Sequence, residues 1–118
     1  MKKIYHLENC STCQRIIGEL GGADQFDLQN IKEENIEESV LDQLKESHGS
    51  YEALFSKRAM KYRSLGLNEQ QLSEDDYKNW ILKEYTFLKR PVMLIGDQSF
   101  VGNAKKTVAA AKEALTNG

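Results

Sequence analysis

Two cysteines stand three residues apart near the start of the chain, in the sequence Cys10-Ser11-Thr12-Cys13. Only a thiolate attacks an electrophile, and a free cysteine with a pKa of about 8.5 is mostly protonated at neutral pH. The helical pattern that follows places Cys10 just before a first helical turn, where unpaired backbone N–H groups stabilise an anion. The hydroxyls of Ser11 and Thr12 add donors to this turn. The motif therefore predicts a nucleophilic Cys10 thiolate, or an oxyanion held against it.

Two further side chains bear on this nucleophile. His6 precedes Cys10 by four residues, and a cationic imidazole there would lower the pKa of the thiol. Cys13 follows one turn later, where it can resolve a mixed disulfide or a sulfenic acid formed at Cys10. Because Cys13 also occupies an apolar position of its helix, the sequence leaves core packing as an equal alternative.

Other interpretations of the cysteine pair are an inert pair and a metal site. Free cysteine packs as a small hydrophobe, so two buried cysteines can fall at this spacing without function. A structural zinc site needs four ligands, and the remaining candidates, His6 and His48, do not repeat the paired spacing. We therefore expect no metal.

The elements before and after the motif place it on a turn. Ile4–Leu7 is predicted to be a first strand, and Gly21-Gly22 is predicted to end the helix that follows. The apolar residues of that helix fall at i, i+3, i+4 and i+7: Cys13, Ile16, Ile17 and Leu20. Phe26–Leu28 is predicted to be a second strand, parallel to the first because a helix lies between them. The sequence therefore predicts a βαβ unit.

The middle of the chain, at about 33–88, is predicted to be an all-helical insertion. Asn35 with Glu38, and Ser73 with Asp76, each have the spacing of a capping box at the start of a helix. Apolar residues at helical spacing after the second box are predicted to be core, not a ligand platform: Tyr77, Trp80 and Ile81.

The last part of the chain supplies a hairpin and a helix. Val92–Ile95 is an apolar run suited to a buried strand, and Gly96-Asp97 offers a turn into a strand at Ser99–Val101. Asn103 is the predicted cap of the final helix. The element order predicts an α/β protein with the thioredoxin-like fold, a mixed four-stranded sheet interrupted by the helical insertion.

Pro91 is the only proline of the chain and opens the apolar strand. In the thioredoxin fold this place holds a cis proline that brings the preceding residue to the catalytic cysteine, which makes Arg90 a candidate. Its guanidinium offers a forked donor for an oxyanion or a glutathione carboxylate. Arg58 is a second candidate for binding an anion, although a solvated arginine explains it equally well.

Size and charge limit the classes of function. The 118 residues fit one domain, residues 1–118, and the formal net charge of -2 gives no field that attracts nucleic acid or a membrane surface. No stretch is long enough to cross a membrane, and we expect no leader segment before the first strand. We expect a monomer in the cytoplasm, a reducing compartment in which a Cys-x-x-Cys pair is catalytic or metal-binding more often than structural.

Several segments together resemble the ArsC family over essentially the whole chain: Ile4-Tyr5-His6, Cys10, Ala53-Leu54-Phe55, Tyr62-x-x-Leu65-Gly66-Leu67 and Arg90-Pro91. That family includes glutaredoxin-dependent arsenate reductases and the Spx transcriptional regulators. The resemblance implies a thioredoxin fold with a helical insertion.

The resemblance also implies site residues. In the reductases, the cysteine matching Cys10 attacks arsenate, the histidine matching His6 tunes it, and glutathione followed by glutaredoxin regenerates the thiol. Three arginines surround the oxyanion there. Arg90 matches one of them, Ser56 stands at the second position with Arg58 two residues later, and the third position falls near Asn103.

We therefore expect an ArsC-like thiol oxidoreductase acting on a small anionic substrate. Cys10 is the expected nucleophile, Cys13 or glutathione resolves the adduct, and Arg90 with helix N–H groups binds the anion. No bound cofactor is expected, and glutathione or glutaredoxin is the expected reductant. The alternative is a redox-sensing regulator of the Spx kind, whose partner is the RNA polymerase alpha subunit.

Overall fold

Four short strands form a mixed sheet. In the computed structural model, which describes residues 2–117, the strands are β1 (Lys2–His6), β2 (Asp27–Asn30), β3 (Val92–Ile95) and β4 (Gln98–Val101). Their order is β2-β1-β3-β4, with β1 and β2 parallel and the other two pairs antiparallel. The predicted mixed four-stranded sheet is confirmed, and the strand ends differ from the predicted ones by at most two residues.

The register of β1 against β3 decides which residues meet at one edge of the sheet. Tyr5 lies opposite Val92, and Ile4 lies opposite Met93. Since the two strands are antiparallel, β3 begins at the edge where β1 ends. The loop after β1 and the residues just before β3 therefore lie at the same edge.

The helices occupy the segments between and after these strands. They are α1 (Ser11–Glu19), α2 (Glu38–His48), α3 (Met60–Ser64), α4 (Glu74–Lys83) and α5 (Lys105–Asn117). Short 3-10 helices lie at Ala23–Gln25, Glu52–Leu54, Leu67–Glu69 and Tyr85–Phe87. The final helix begins one residue later than predicted: Ala104 accepts the first helical hydrogen bond, from Val108, so Asn103 is not the cap.

The chain divides into two compact units. The first contains the residues up to Glu34 and those from Arg90 onward, and the second is Asn35–Lys89. In the first unit, an apolar cluster joins Ile4 of β1, Ile16 of α1, Met93 of β3 and Val108 of α5. Burial of this cluster fixes α1 and α5 on the sheet.

A pair of glycines ends α1 before the chain turns towards β2. Gly21 and Gly22 have φ angles of +105° and +97°, which a side chain would make unfavourable. The N–H of Gly22 donates to the carbonyl of Ile17 at 2.9 Å, which satisfies one of the last carbonyls of the helix. The sequence prediction that these glycines end the helix agrees with this geometry.

The second unit is helical, and its boundaries lie within two residues of the predicted insertion at about 33–88. Its centre is aromatic: the ring of Phe55 contacts those of Tyr62, Tyr77 and Phe87 at centroid distances of 5.8, 5.0 and 4.8 Å. Tyr77 is buried, and the half-buried Trp80 packs edge-on against Phe87. These residues are core, as the sequence predicted.

One of the two predicted capping boxes is present. Ser73 accepts a hydrogen bond from the N–H of Asp76, and the carboxylate of Asp76 accepts one from the N–H of Ser73. The Asn35 box is wrong, because Glu37 is the N-cap of α2 and has no side-chain cap. The amide of Asn35 instead donates to the carbonyls of Ile81 and Leu82 at 2.9 and 3.2 Å, and so caps the C-terminus of α4.

Candidate functional site

Cys10 is the N-cap residue of α1. Its backbone is extended, with φ −92° and ψ 110°, and its carbonyl accepts a 3.1 Å hydrogen bond from the N–H of Gln14. The N–H of Cys10 donates to the carbonyl of Leu7 at 3.0 Å, which closes a tight turn after β1. Its side chain is half-buried. The cysteine therefore lies at the strand-to-helix turn that the sequence indicates.

The surroundings of Cys10 favour its thiolate. Burial raises its pKa, but the backbone N–H of Cys13, the thiol of Cys13, the backbone N–H of Thr12 and the charge of Arg90 together lower it below its ordinary value. The two N–H groups belong to the first turn of α1, which has no intrahelical acceptor for them. The side chain of Cys10 makes no N-cap hydrogen bond in this structure, and the N–H groups of this turn would stabilise its anion.

Cys13 has the opposite character. Its side chain is fully buried, and burial raises its pKa to about 11. The backbone N–H of Leu7 and the charge of Arg90 lower that pKa only in part, while the hydrogen bond to Cys10 and the charge of Cys10 raise it further. Both cysteines are free thiols in this structure. The surroundings therefore favour a thiolate on Cys10 and a protonated thiol on Cys13.

Arg90 is the cation of the site. Its charge lowers the pKa of both Cys10 and Cys13, which places the guanidinium within electrostatic reach of both sulfurs. The Arg90–Pro91 peptide bond is cis, the isomer that the sequence analysis expects there. The carbonyl of Pro91 accepts a 3.0 Å hydrogen bond from the N–H of Gly102, just beyond β4.

His6, at the end of β1, is buried with 7% of its surface exposed. Burial lowers its pKa, and the nearby charge of Glu8 raises it in part. The imidazole is therefore neutral at pH 7, unlike the cationic group that the sequence analysis considered. Its Nδ1 is buried without a hydrogen-bond partner among residues 2–117. A tuning role for His6 stays a prediction.

The remaining candidates differ in their placement. Thr12 is half-buried and acts on Cys10 through its backbone N–H, whereas Ser11 is exposed. Arg58 is an exposed residue of the second unit, in the segment between Ser56 and α3. The structure thus brings Cys10, Thr12, Cys13 and Arg90 together in the first unit, while anion binding by Ser11 and Arg58 stays a prediction.

Sequence reasoning missed the side chains that hold the loop before Cys10. Asn30, the last residue of β2, exchanges hydrogen bonds with Glu8 through both atoms of its amide. Gln14 of α1 donates from its side chain to the carbonyl of Glu8 at 3.2 Å. The sequence offered one signal: Asn30 is a polar residue at the end of the strand predicted to pair with β1. Its side chain therefore lies at the edge of the sheet where the loop before Cys10 begins.

The sequence profile of the ArsC family matches residues 5–111. The chain belongs to the ArsC family. The matched range contains Cys10, Cys13 and Arg90, so the family assignment covers the whole cluster at the start of α1. No curated protein matches this ArsC-family chain significantly in sequence.

Solved structures share its fold. The YFFB protein has a TM-score of 0.77 at 23% identity, covering 94% of this chain and 98% of its own. An arsenate reductase from Vibrio cholerae has a TM-score of 0.75 at 20% identity, covering 96% of each chain. A protein described as a possible arsenate reductase from Streptococcus mutans UA159 is 28% identical, with a TM-score of 0.63 and coverage of 80% and 82%. The ArsC-like thioredoxin fold is therefore confirmed.

Two searches over the described residues of this ArsC-family protein give negative results. Across residues 2–117, no helix is both long and apolar enough to span a bilayer. Within the same range, no three side chains of His, Cys, Asp or Glu form a group that could hold a metal ion.

Proposed function

We propose that this protein is a thiol oxidoreductase whose nucleophile is the Cys10 thiolate. One arrangement carries the proposal: at the start of α1, a cysteine of lowered pKa lies beside a buried cysteine whose pKa is raised to about 11. Such a pair favours the thiolate on Cys10 and the protonated thiol on Cys13. One sulfur can attack at once, and the other can attack after it loses that proton.

The reaction with a disulfide substrate takes two steps. The Cys10 thiolate attacks one substrate sulfur, so a mixed disulfide forms, the substrate disulfide breaks, and the leaving sulfur takes a proton. Cys13 then loses its proton and attacks the sulfur of Cys10, which releases the second substrate thiolate and leaves a Cys10–Cys13 disulfide. Two electrons pass to the substrate, and glutathione or glutaredoxin returns them.

An oxyanion substrate uses the same nucleophile. With arsenate, the sulfur of Cys10 displaces one oxygen as water, and a sulfur–arsenic bond forms. Glutathione then attacks the sulfur of Cys10, so arsenite leaves with two more electrons and a mixed disulfide remains for glutaredoxin to reduce. Arg90 and the N–H groups of α1 would bind the negative oxygens.

Two observations bear on the choice of substrate. The structural neighbour from Streptococcus mutans, 28% identical and described as a possible arsenate reductase, favours the oxyanion. Of the three arginine positions in the resembled reductases, however, only Arg90 is matched cleanly, and Ser56 stands at the second. The two substrates share anionic oxygens that Arg90 could bind. They are the oxygens of arsenate in one case and those of a glutathione carboxylate in the other.

Adduct formation tests the proposal and separates the substrates. The full chain is treated with glutathione disulfide or with arsenate plus glutathione, and the mass of the peptide containing Cys10 is measured. We expect an adduct at Cys10, its loss in Cys10→Ser, and slower formation in Arg90→Gln but not in Arg63→Gln, which changes an exposed arginine of α3. Full reductase activity in Cys10→Ser, or the absence of any Cys10 adduct, would overturn the proposal.

The second cysteine separates two routes. If Cys13 resolves the adduct, Cys13→Ser should accumulate the mixed disulfide at Cys10 and turn over slowly. If glutathione resolves it, Cys13→Ser should keep its rate at saturating glutathione.

The same dithiol supports a second function, a redox-sensing regulator of the Spx kind. The supporting observation is that Cys13 donates its thiol hydrogen bond to Cys10, so both sulfurs lie close enough to act as one redox unit. Capture of the purified RNA polymerase alpha subunit by oxidised and reduced protein tests this function. Equal capture in both states, or none, counts against it.

A further inference from the structure

The side-chain amide of Asn30 joins the end of β2 to the loop that carries the nucleophile. Its Oδ1 accepts hydrogen bonds from the backbone N–H groups of Glu8 and Lys32, each at 3.3 Å. Its Nδ2 donates to the carboxylate Oε2 of Glu8 at 3.1 Å. One residue thus holds both the main chain and the side chain of Glu8.

Glu8 is also held from the side of the helix. Its carbonyl accepts a 3.2 Å hydrogen bond from Nε2 of Gln14, and the backbone N–H of Gln14 donates to the carbonyl of Cys10 at 3.1 Å. The loop is therefore connected to β2 on one side and to α1 on the other. Cys10 lies two residues after the point where these connections meet.

Asn30 continues the strand pairing where the backbone ladder ends. His6 lies opposite Asn30 in the parallel register, and the carbonyl of His6 accepts the N–H of Ile31 at 2.9 Å. After His6 the backbone pairing between β1 and β2 ends. The next hydrogen bond between these segments is the one from the N–H of Glu8 to the side-chain amide of Asn30. Without the amide of Asn30, the Leu7–Cys10 turn and the contact from Gln14 would still hold the loop after β1, but neither joins it to β2.

We propose that Asn30 is a positioning residue for Cys10: by holding Glu8, it keeps the sulfur over the first turn of α1. The N–H groups of Thr12 and Cys13 stabilise the anion only while the sulfur stays there. The proposal concerns the nucleophile of the proposed function and rests on it for its relevance, but its test needs no substrate. Asn30 touches no reacting atom.

The position requires an amide because both of its polar atoms are used. An aspartate would keep an acceptor for the N–H of Glu8, but it has no donor for the Glu8 carboxylate and would place a like charge beside it. An alanine would remove all three side-chain hydrogen bonds of Asn30 and add no charge. The two variants therefore break the connection in different ways.

The test measures the pKa of Cys10 in the full chain, from the pH dependence of its alkylation by iodoacetamide, with mass spectrometry reporting the peptide that contains Cys10. Asn30→Ala is expected to raise this pKa and to slow alkylation at about pH 6.5, by up to about tenfold for a shift of one unit. Asn30→Asp should slow it at least as much. The control Asn79→Ala, an exposed residue of α4, should leave it unchanged.

A rescue separates positioning from a general loss of stability. Glu8→Gln combined with Asn30→Asp reverses donor and acceptor but restores a complementary pair, so alkylation should return to within about twofold of wild type. The urea midpoint of each variant is measured alongside. A merely structural role would shift the midpoint and leave the pKa of Cys10 where it was.

Each outcome decides the matter. A wild-type pKa for Cys10 in both Asn30→Ala and Asn30→Asp would overturn the role of Asn30, and so would a double variant no faster than Asn30→Asp alone. Should Asn30→Ala not fold, Asn30→Asp and the double variant carry the test. An ordinary pKa for Cys10 in the wild-type chain would instead contradict the proposed function, so the two failures are distinguishable.

Discussion

The thiol of Cys13 donates a hydrogen bond to the sulfur of Cys10, and this contact lowers the pKa of Cys10 while it raises that of Cys13. Burial increases the difference, because Cys13 is fully buried and Cys10 is half-buried. Two identical functional groups within one helical turn thus have pKa values shifted in opposite directions. That difference favours Cys10 as the sulfur that attacks first in the proposed reaction.

Selective alkylation at neutral pH should follow from this difference. With a pKa of about 11, Cys13 is a thiolate in only about one molecule in ten thousand at pH 7. Iodoacetamide should therefore modify Cys10 almost alone, at a rate that rises with pH through the lowered pKa of Cys10 and then levels off. Peptide mass spectrometry across a pH series measures both sites.

The control for selective alkylation is Cys10→Ser, which should remain nearly unlabelled on the same timescale. Comparable labelling of Cys10 and Cys13 at neutral pH would show that the two thiols are equivalent and would contradict the assignment.

Removal of the Cys13 donor should weaken the thiolate of Cys10. Cys13→Ala deletes the hydrogen bond, so the pKa of Cys10 should rise by about one unit, the size expected for one hydrogen bond to a charged group. Cys13→Ser keeps a hydroxyl donor and should give a smaller rise. The thiolate absorbance near 240 nm, followed through a pH titration, measures the pKa directly. An equal pKa of Cys10 in Cys13→Ala and in wild type would show that the Cys13 thiol is not a donor.

Two histidines should make the protein less stable in mild acid. Burial lowers the pKa of His6, with partial opposition from Glu8, and burial lowers that of His48. In the unfolded chain each histidine takes up a proton near its ordinary pKa of about 6.5, so the unfolded state binds more protons below that pH. The free energy of unfolding should therefore fall as the pH decreases from neutral, until it passes the lowered pKa values of the folded state.

Urea unfolding at several pH values between about 7 and 5 measures this fall. His6→Gln and His48→Gln should each flatten the curve, and the double variant should flatten it most. The carboxylates with lowered pKa, such as Asp42 and Glu52, lose their contribution only at more acidic pH. A double variant that kept the full decline would assign it to other groups.

Asn35→Ala should destabilise the second unit. The change leaves the carbonyls of Ile81 and Leu82, at the end of α4, without the amide that caps them. The cost should be about 1–3 kcal/mol, the usual range when partly buried hydrogen bonds lose a partner. Asn68→Ala, at an exposed position in the same unit, is the matched control and should change the free energy of unfolding by less than about 0.5 kcal/mol. Equal unfolding midpoints for the two variants would contradict the capping role.

Elements bounded by local signals could be predicted from the sequence. The strand Val92–Ile95 has the predicted ends, because Pro91 precedes its apolar run and Gly96 follows it. The turn at Cys10 was predictable for the same reason, since the change from a strand to a helical pattern occurs within a few residues there. The Ser73 cap also needed only neighbours in the sequence.

Features that depend on distant residues could not be predicted this way. Asn35 has the spacing of a capping box, but its amide binds a carbonyl 46 positions away, which no local pattern indicates. Asn30 and Glu8 are separated by 22 positions. The protonation state of His6 depended on its burial to 7% exposure, and a sequence shows the residue type but not the solvent around it.

The alignment of β3 with β1 determines where the residues of the candidate site lie relative to each other. Tyr5 lies opposite Val92, and this pairing sets the position of Arg90, two residues before Val92, relative to the turn at Cys10. A slip of one residue would displace β3 by about 3.4 Å and invert the faces of its side chains. Ile4 and Met93 are fully buried in the apolar cluster, and their packing fixes this alignment. A substitution at either of these two apolar positions that shifts the strand register should therefore lower the reactivity of Cys10 as well as the stability of the fold.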